Sequence, residues 1–233
     1  SGADIDLGSA NLFTGAVTLA PTGTGDVIIT TGNQALDLAT STVGGTLTVN
    51  AGAALTGSGT LTVTGTTTIT MSSGTNSSRS VTLSDTDNDF KSTFILNNAY
   101  ENRITDKNEL HLGRHDVRWT RFTVGGNLTQ ENDNDNRLTA TNHFGVTATN
   151  NDVILENPYN NAARIKEIDA DNFTFVNNDG VIISVNTVAE AFHLTARGNV
   201  TDYDSHMTVT GLATIIAQSS DGATFYNITL DDA

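Results

Sequence analysis

GGTLTV at 44–49, GGNLTQ at 125–130 and RGNVTD at 197–202 are one phrase written three times, and their recurrence decides the fold. The copies start 81 and 72 residues apart (44 to 125, then 125 to 197). A second block follows each: LTVTGTTTIT at 61–70, LTATNHFGVT at 138–147 and MTVTGLATII at 207–216. A third completes the order: SVTLSD at 80–85, DVILEN at 152–157 and NITLDD at 227–232. Three blocks recurring in one order are the mark of a repeat architecture. Inside them, Thr46-Leu47-Thr48-Val49 and Leu61-Thr62-Val63-Thr64 alternate polar with apolar residues, the pattern of a strand with one buried face. Threonine suits the exposed face, where β-branching fits a pleated surface.

A sandwich gives each strand its own role, whereas a solenoid stacks near-equivalent coils and repeats the same residue types at the same place. The block order therefore predicts an all-β chain folded as a parallel β-helix. Rungs of about 20–25 residues, stacked at about 4.8 Å, make a rod roughly 45–55 Å long. Inward ladders are expected from Leu47, Val49, Leu61 and Val63, through Leu128, Leu138 and Val153, to Val209, Ile228 and Leu230. Residues 1–25 read as a leading segment, with Ser1-Gly2-Ala3 as an expression scar, ahead of one β-helix over 26–233. Its three divergent repeats fall at about 26–90, 91–173 and 174–233. Two stretches, near 91–124 with over half of the basic residues and 158–172 with Pro158, Tyr159, Arg164 and Lys166, read as loop insertions leaving the rungs.

Composition agrees with a folded β-protein. The 233 residues are 37% hydrophobic and 16% charged, with 21 glycines, 2 prolines and few strong helix formers, which excludes a helical bundle. The net charge is −15, from 26 acidic against 11 basic residues. That field repels phosphate backbones and anionic lipid, so neither nucleic acid nor membrane insertion is an expected partnership. There is no cysteine, so disulfides say nothing of the compartment.

The order GGNLTQ, LTATNHFGVT, NDVILEN resembles the filamentous haemagglutinin-type repeats of large bacterial exoproteins. Those repeats close on an N-D-F element, matched by Asn88-Asp89-Phe90 and by Asp171-Asn172-Phe173. Their N-x-L-x-L element is matched by Gln34 to Leu38 and by Asn108 to Leu112. The resemblance covers most of 26–233 and implies a right-handed parallel β-helix, part of a secreted adhesin of the two-partner-secretion or autotransporter kind. It implies a bacterial cell-surface location. The partners it implies are a glycan or protein receptor on a host or neighbouring cell, and the remainder of a larger exoprotein chain. The family's amino-terminal secretion domain is not recognisable, nor is a cap or translocator.

Candidate chemistry is sparse. Trp119, Arg114, Arg118, Arg121 and Phe122 form a basic–aromatic cluster suited to stacking on a sugar or engaging an acidic partner. Asp85, Asp87 and Asp89 have the D-x-D-x-D spacing that can offer oxygens to calcium, the one ion considered; no other cofactor is expected. Phe90 and Leu96 stand where an EF-hand needs glycine and glutamate, so that motif fails. Asn132 to Asp135, Asp169 with Asp171, and Asp202 with Asp204 read as turn chemistry or shared cation sites. His111, His115 and Asp116 offer a weaker metal set. Arg164-Ile165-Lys166 matches the R-I-K element of polygalacturonases, but no G-H-G exists and the Asp231-Asp232 pair follows in the wrong order. The chain is therefore expected not to be an enzyme. The alternatives are a β-helix carbohydrate-active enzyme or a Thr-rich ice-binding solenoid, whose ladder is broken at Leu138 to His143.

Overall fold

A computed structural model of the chain describes residues 2–72, 78–184, 186–203 and 206–230. Among them the regular structure is β, apart from one 3-10 turn at Asn134–Asn136. The strand ladders are parallel, and the chain winds as a β-solenoid of about ten turns. One early turn carries three short strands, Val27–Thr31, Leu36–Leu38 and Ser41–Val43. The next repeats them as Leu47–Ala51, Leu55–Gly57 and Leu61–Val63. Val27 pairs with Leu47 and Leu47 with Thr67, so equivalent residues sit directly above one another. The glycines of the GG phrase make this stacking possible. A Cβ at Gly44 would lie 1.9 Å from the Gly23 carbonyl oxygen, and one at Gly125 would lie 2.1 Å from that of Lys107. Only glycine lets successive corners approach so closely.

Alternation buries the expected side chains. Leu47, Val49, Leu61, Val63, Leu128, Leu138 and Val153 are all in the core. Ile228 and Leu230 are not: they are 45% and 47% exposed, since among the described residues the strand Ile228–Thr229 is paired on the side of Val200 alone. Phenylalanines fill the wider middle turns. Phe122, Phe144, Phe175, Phe173 and Phe192 follow one another at ring separations of 6.3, 5.6, 5.9 and 5.2 Å. Each fully buried ring contributes about 1.5–3 kcal/mol of transfer free energy.

The supposed insertions belong to the stack. Residues 91–124 form two long strands, Thr93–Asp106 and Leu110–Val124, paired in parallel from Thr93 with His111 to Asp106 with Val124. Their basic residues occupy outward positions and corners between buried ones, so a strand that turns two corners reads as a polar loop. The stretch 158–172 likewise enters the strand Arg164–Asn177, which pairs with Asn186–Ala196. The leading segment is also part of the stack, because Ile5–Leu7 pairs in parallel with Val27 to Ile29.

One core position is imperfect. Thr67 lies between Leu47 and Phe94 in an inward column, 1% exposed, and its hydroxyl has no hydrogen-bond partner. Thr67→Val keeps the shape and removes an unsatisfied polar group, so stability should rise by about 1 kcal/mol. Urea unfolding checks this; a midpoint that fails to rise would mean the hydroxyl is satisfied in solution.

Candidate functional site

The strand Leu110–Val124 turns two corners, and its burial pattern shows where. Leu110 and Leu112 point inward, then His115 and Val117, then Thr120, Phe122 and Val124. Trp119 and Arg121 therefore stand outward at the start of the last face. Trp119 is in register with Glu101 on one side and His143 on the other, and Arg121 with Arg103 and Gly145. The indole meets the His143 ring edge-on, 4.3 Å between centroids at 78°.

Gly145 leaves a notch in this surface, where a Cβ would lie 2.7 Å from the Lys166 carbonyl oxygen. The following turn bulges to pass it: Phe144 pairs with Ile165 but Val146 with Ile168. Glu167, in the extra length, adopts the left-handed conformation at φ 60°. That costs a non-glycine residue on the order of 1 kcal/mol or more and turns its carboxylate back over the notch. One Glu167 oxygen meets Arg121 at 3.0 Å and the other meets Lys166 at 3.3 Å. Arg103 pairs with Glu101 at 3.2 Å. Together these groups line an open cleft of about 440 Å³, within the usual range of ligand sites.

Burial holds the His143 imidazole below its ordinary 6.5, with Lys166 and Arg164 acting in the same direction and Glu167 and Glu101 against it. The ring is neutral at pH 7. Beside the cleft, Arg118 donates to the Tyr100 hydroxyl at 2.7 Å and lies 4.9 Å over that ring.

Of the basic–aromatic residues singled out in the sequence, Trp119 and Arg121 line the cleft and Arg118 flanks it. Phe122 is corrected: it is wholly buried, packed against His115 and Phe144, because alternation turns it inward. Arg114 is also elsewhere, at a corner, bound to Asp116 at 2.5 Å. Glu101, His143 and Glu167 were missed. They lie one or two turns away, and only the rung length would have pointed to them.

The acidic trio does not converge. Asp85 accepts from the Asp87 amide at 2.9 Å and the Thr60 hydroxyl at 3.2 Å, closing a turn. Asp89 turns inward and is paired with Lys107 at 3.0 Å and Lys91 at 3.6 Å. Burial acts to raise its carboxyl, but the bonds and charge of Lys107 and Lys91 hold it below its ordinary value. Among the described residues no group of three His, Asp or Glu is placed to hold a metal ion. Asp133 instead caps the turn at Asn134–Asn136, while Asp204, Asp231 and Asp232 lie outside the described residues. His111 faces outward to Thr129 and Glu131 and His115 faces the core, so these two share no ligand position.

The sequence matches, at residues 24–97, 101–168 and 170–233, a family described as repeats of unknown function (DUF5649). The chain belongs to the DUF5649 repeat family. No curated protein and no solved structure matches it. The cleft falls almost wholly within the second DUF5649 copy. Counting along the repeated block, His143 corresponds to Thr66 in the first copy and Leu212 in the third, and Gly145 to Thr68 and Thr214. The notch and its imidazole are thus features of one DUF5649 copy laid on a shared scaffold.

Proposed function

We propose that this chain is a non-enzymatic segment of an exported bacterial adhesin related to filamentous haemagglutinin, a stalk whose middle repeat carries a recognition cleft. The observation that supports this most is the unbroken parallel stack of about ten turns. Side chains from every turn share one core, so the chain is a stiff element near 48 Å long at about 4.8 Å per turn. Such a rod transmits position over distance. Backbone bonds between turns need no partner for their stability, which suits a chain that folds outside the cell. On this reading the cleft meets a glycan or protein receptor on another cell, and the rest of a longer exoprotein carries the rod.

Antibody labelling of intact producing cells, paired with a reducing-end assay on plant and bacterial polysaccharides, tests the proposal. Surface labelling without product release is the expected result. A chain retained inside unbroken cells would overturn the export reading. Steady release of reducing ends would replace the adhesin with a carbohydrate-active enzyme of the same fold.

A further inference from the structure

We infer that the cleft beside Trp119 and Arg121 binds an uncharged sugar ring, an inference that rests on the recognition role proposed above and names its ligand class. Both donors and acceptors line the cleft: the Glu101 and Glu167 carboxylates, the Arg103 and Arg121 guanidiniums and the Lys166 ammonium. Each of these cations is already matched, Arg103 to Glu101 and both Arg121 and Lys166 to Glu167. Three cations share two carboxylates, which leaves one positive charge over, but no cation lacks a carboxylate partner and an anion would have to displace one. A uronate or sulfated sugar would use the donors while facing two carboxylates, on a chain of net charge −15. A free cation would face three basic groups. A polyol ring escapes both penalties, because every hydroxyl donates and accepts.

The geometry supplies the remaining parts. Trp119 offers an apolar surface for the C–H face of a pyranose, and aromatic side chains favour such contacts. Neutral His143, edge-on to the indole, adds a ring nitrogen at the rim. Arg121 and Glu167 face one another across the notch, a planar fork and a two-oxygen acceptor, and can clamp adjacent hydroxyls. Their side chains are 45% and 37% exposed, and an ion pair so exposed loses little when part of it is exchanged for ligand bonds. Both are held in place beforehand, Arg121 by the rung register and Glu167 by the bulge, which reduces the ordering cost of binding.

Trp119 is the only tryptophan, so its fluorescence reports on the cleft directly. The whole chain is titrated with cellotriose, maltotriose and galactotriose as uncharged probes, and with trigalacturonate and a sulfated disaccharide as anionic ones. The expected result is a saturable emission change with at least one uncharged trisaccharide and none with the anionic probes. Arg121→Gln and Glu167→Gln should each weaken binding by about tenfold or more, the loss of a hydrogen bond to a charged group. By calorimetry, Trp119→Ala should abolish binding, and Trp119→Phe, which keeps part of the packing against His143, should retain part of it. Saturation by trigalacturonate alone would overturn the uncharged class and leave the recognition role standing. Silence with every saccharide would remove the sugar inference and the glycan part of that role, while labelling of intact cells would decide the adhesin reading separately.

Discussion

Asn160→Ala should lower the unfolding free energy by about 3–5 kcal/mol, as read by urea denaturation, although the side chain is neither apolar nor near the cleft. Asn160 is fully buried and makes four hydrogen bonds. Its Oδ1 accepts from the Leu138 amide at 2.7 Å and from the Gln130 side chain at 2.9 Å. Its Nδ2 donates to the Gln130 Oε1 at 2.9 Å and to the Leu155 carbonyl at 3.2 Å. Truncation strands the Leu138 amide and the Leu155 carbonyl in the core and takes two bonds from the half-buried Gln130 amide, and stranded groups cost more than lost bonds. The same clamp recurs along the rod: Asn88 holds the Leu61 amide at 2.8 Å, Asn177 that of Ala162 at 2.7 Å, and Asn186 that of Ile168 at 3.1 Å. Each ties one turn to a backbone amide of the preceding turn. Exposed Asn132 is the control, and Asn132→Ala should change stability by no more than about 0.5 kcal/mol. An Asn160→Ala loss no larger than the control's would show that the corners are held by backbone stacking alone.

Stability should respond to acid in two stages, falling gently from pH 6 to 4 and steeply below 4. His115 is wholly buried, with Nε2 at 3.3 Å from the Asn102 Oδ1 and 3.2 Å from the Thr120 hydroxyl, and Nδ1 without a partner. Burial pushes its pKa down to about 3, against the pull of Asp116. Between 6.5 and 3 the unfolded chain takes up a proton that the folded chain refuses, so stability falls as pH falls, by up to about 1.4 kcal/mol per unit. Asp106 works the other way. Burial raises its carboxyl to about 6, despite bonds from the Phe90 and Asn108 amides, with Asp89 adding to the rise and Lys107 opposing it. Between 3.8 and 6 the folded chain holds a proton that the unfolded chain lacks. Its stabilisation is complete below 3.8 and is lost as pH rises through 6.

The two slopes are of similar size and opposite sign over the shared window. Below it the compensation from Asp106 is spent, Asp89 adds its own loss to that of His115, and the fall steepens. His115→Leu should remove one slope, so that its stability rises relative to the wild type's as pH drops from 6 to 4, whatever its offset at pH 7. Urea midpoints at unit pH steps separate these cases, and a wild-type loss already steep at pH 6 would show that Asp106 does not compensate.

The sequence by itself determined the solenoid, because the fold is a local rule applied repeatedly. Leu47, Val49, Leu61 and Val63 are buried since alternation of period two leaves them no other face, and Gly44 and Gly125 mark corners that must touch. The same rule hid the two long strands of 91–124. There inward and outward residues change phase at Gly113–Arg114 and Arg118–Trp119, so the basic side chains crowd together in sequence while they separate in space. Phe122 looked like Trp119's companion and is its opposite, one face in and one face out. In sequence His115 stands as a metal-ligand candidate beside His111 and nothing marks Asn160, since nothing in a single strand says that a polar side chain will find its partners on another turn. Only the tertiary structure decided the cleft. Trp119 meets His143, 24 positions on, and Arg121 meets Glu167, 46 positions on, because the rung length brings them to one surface and a bulge past Gly145 turns one carboxylate back toward them.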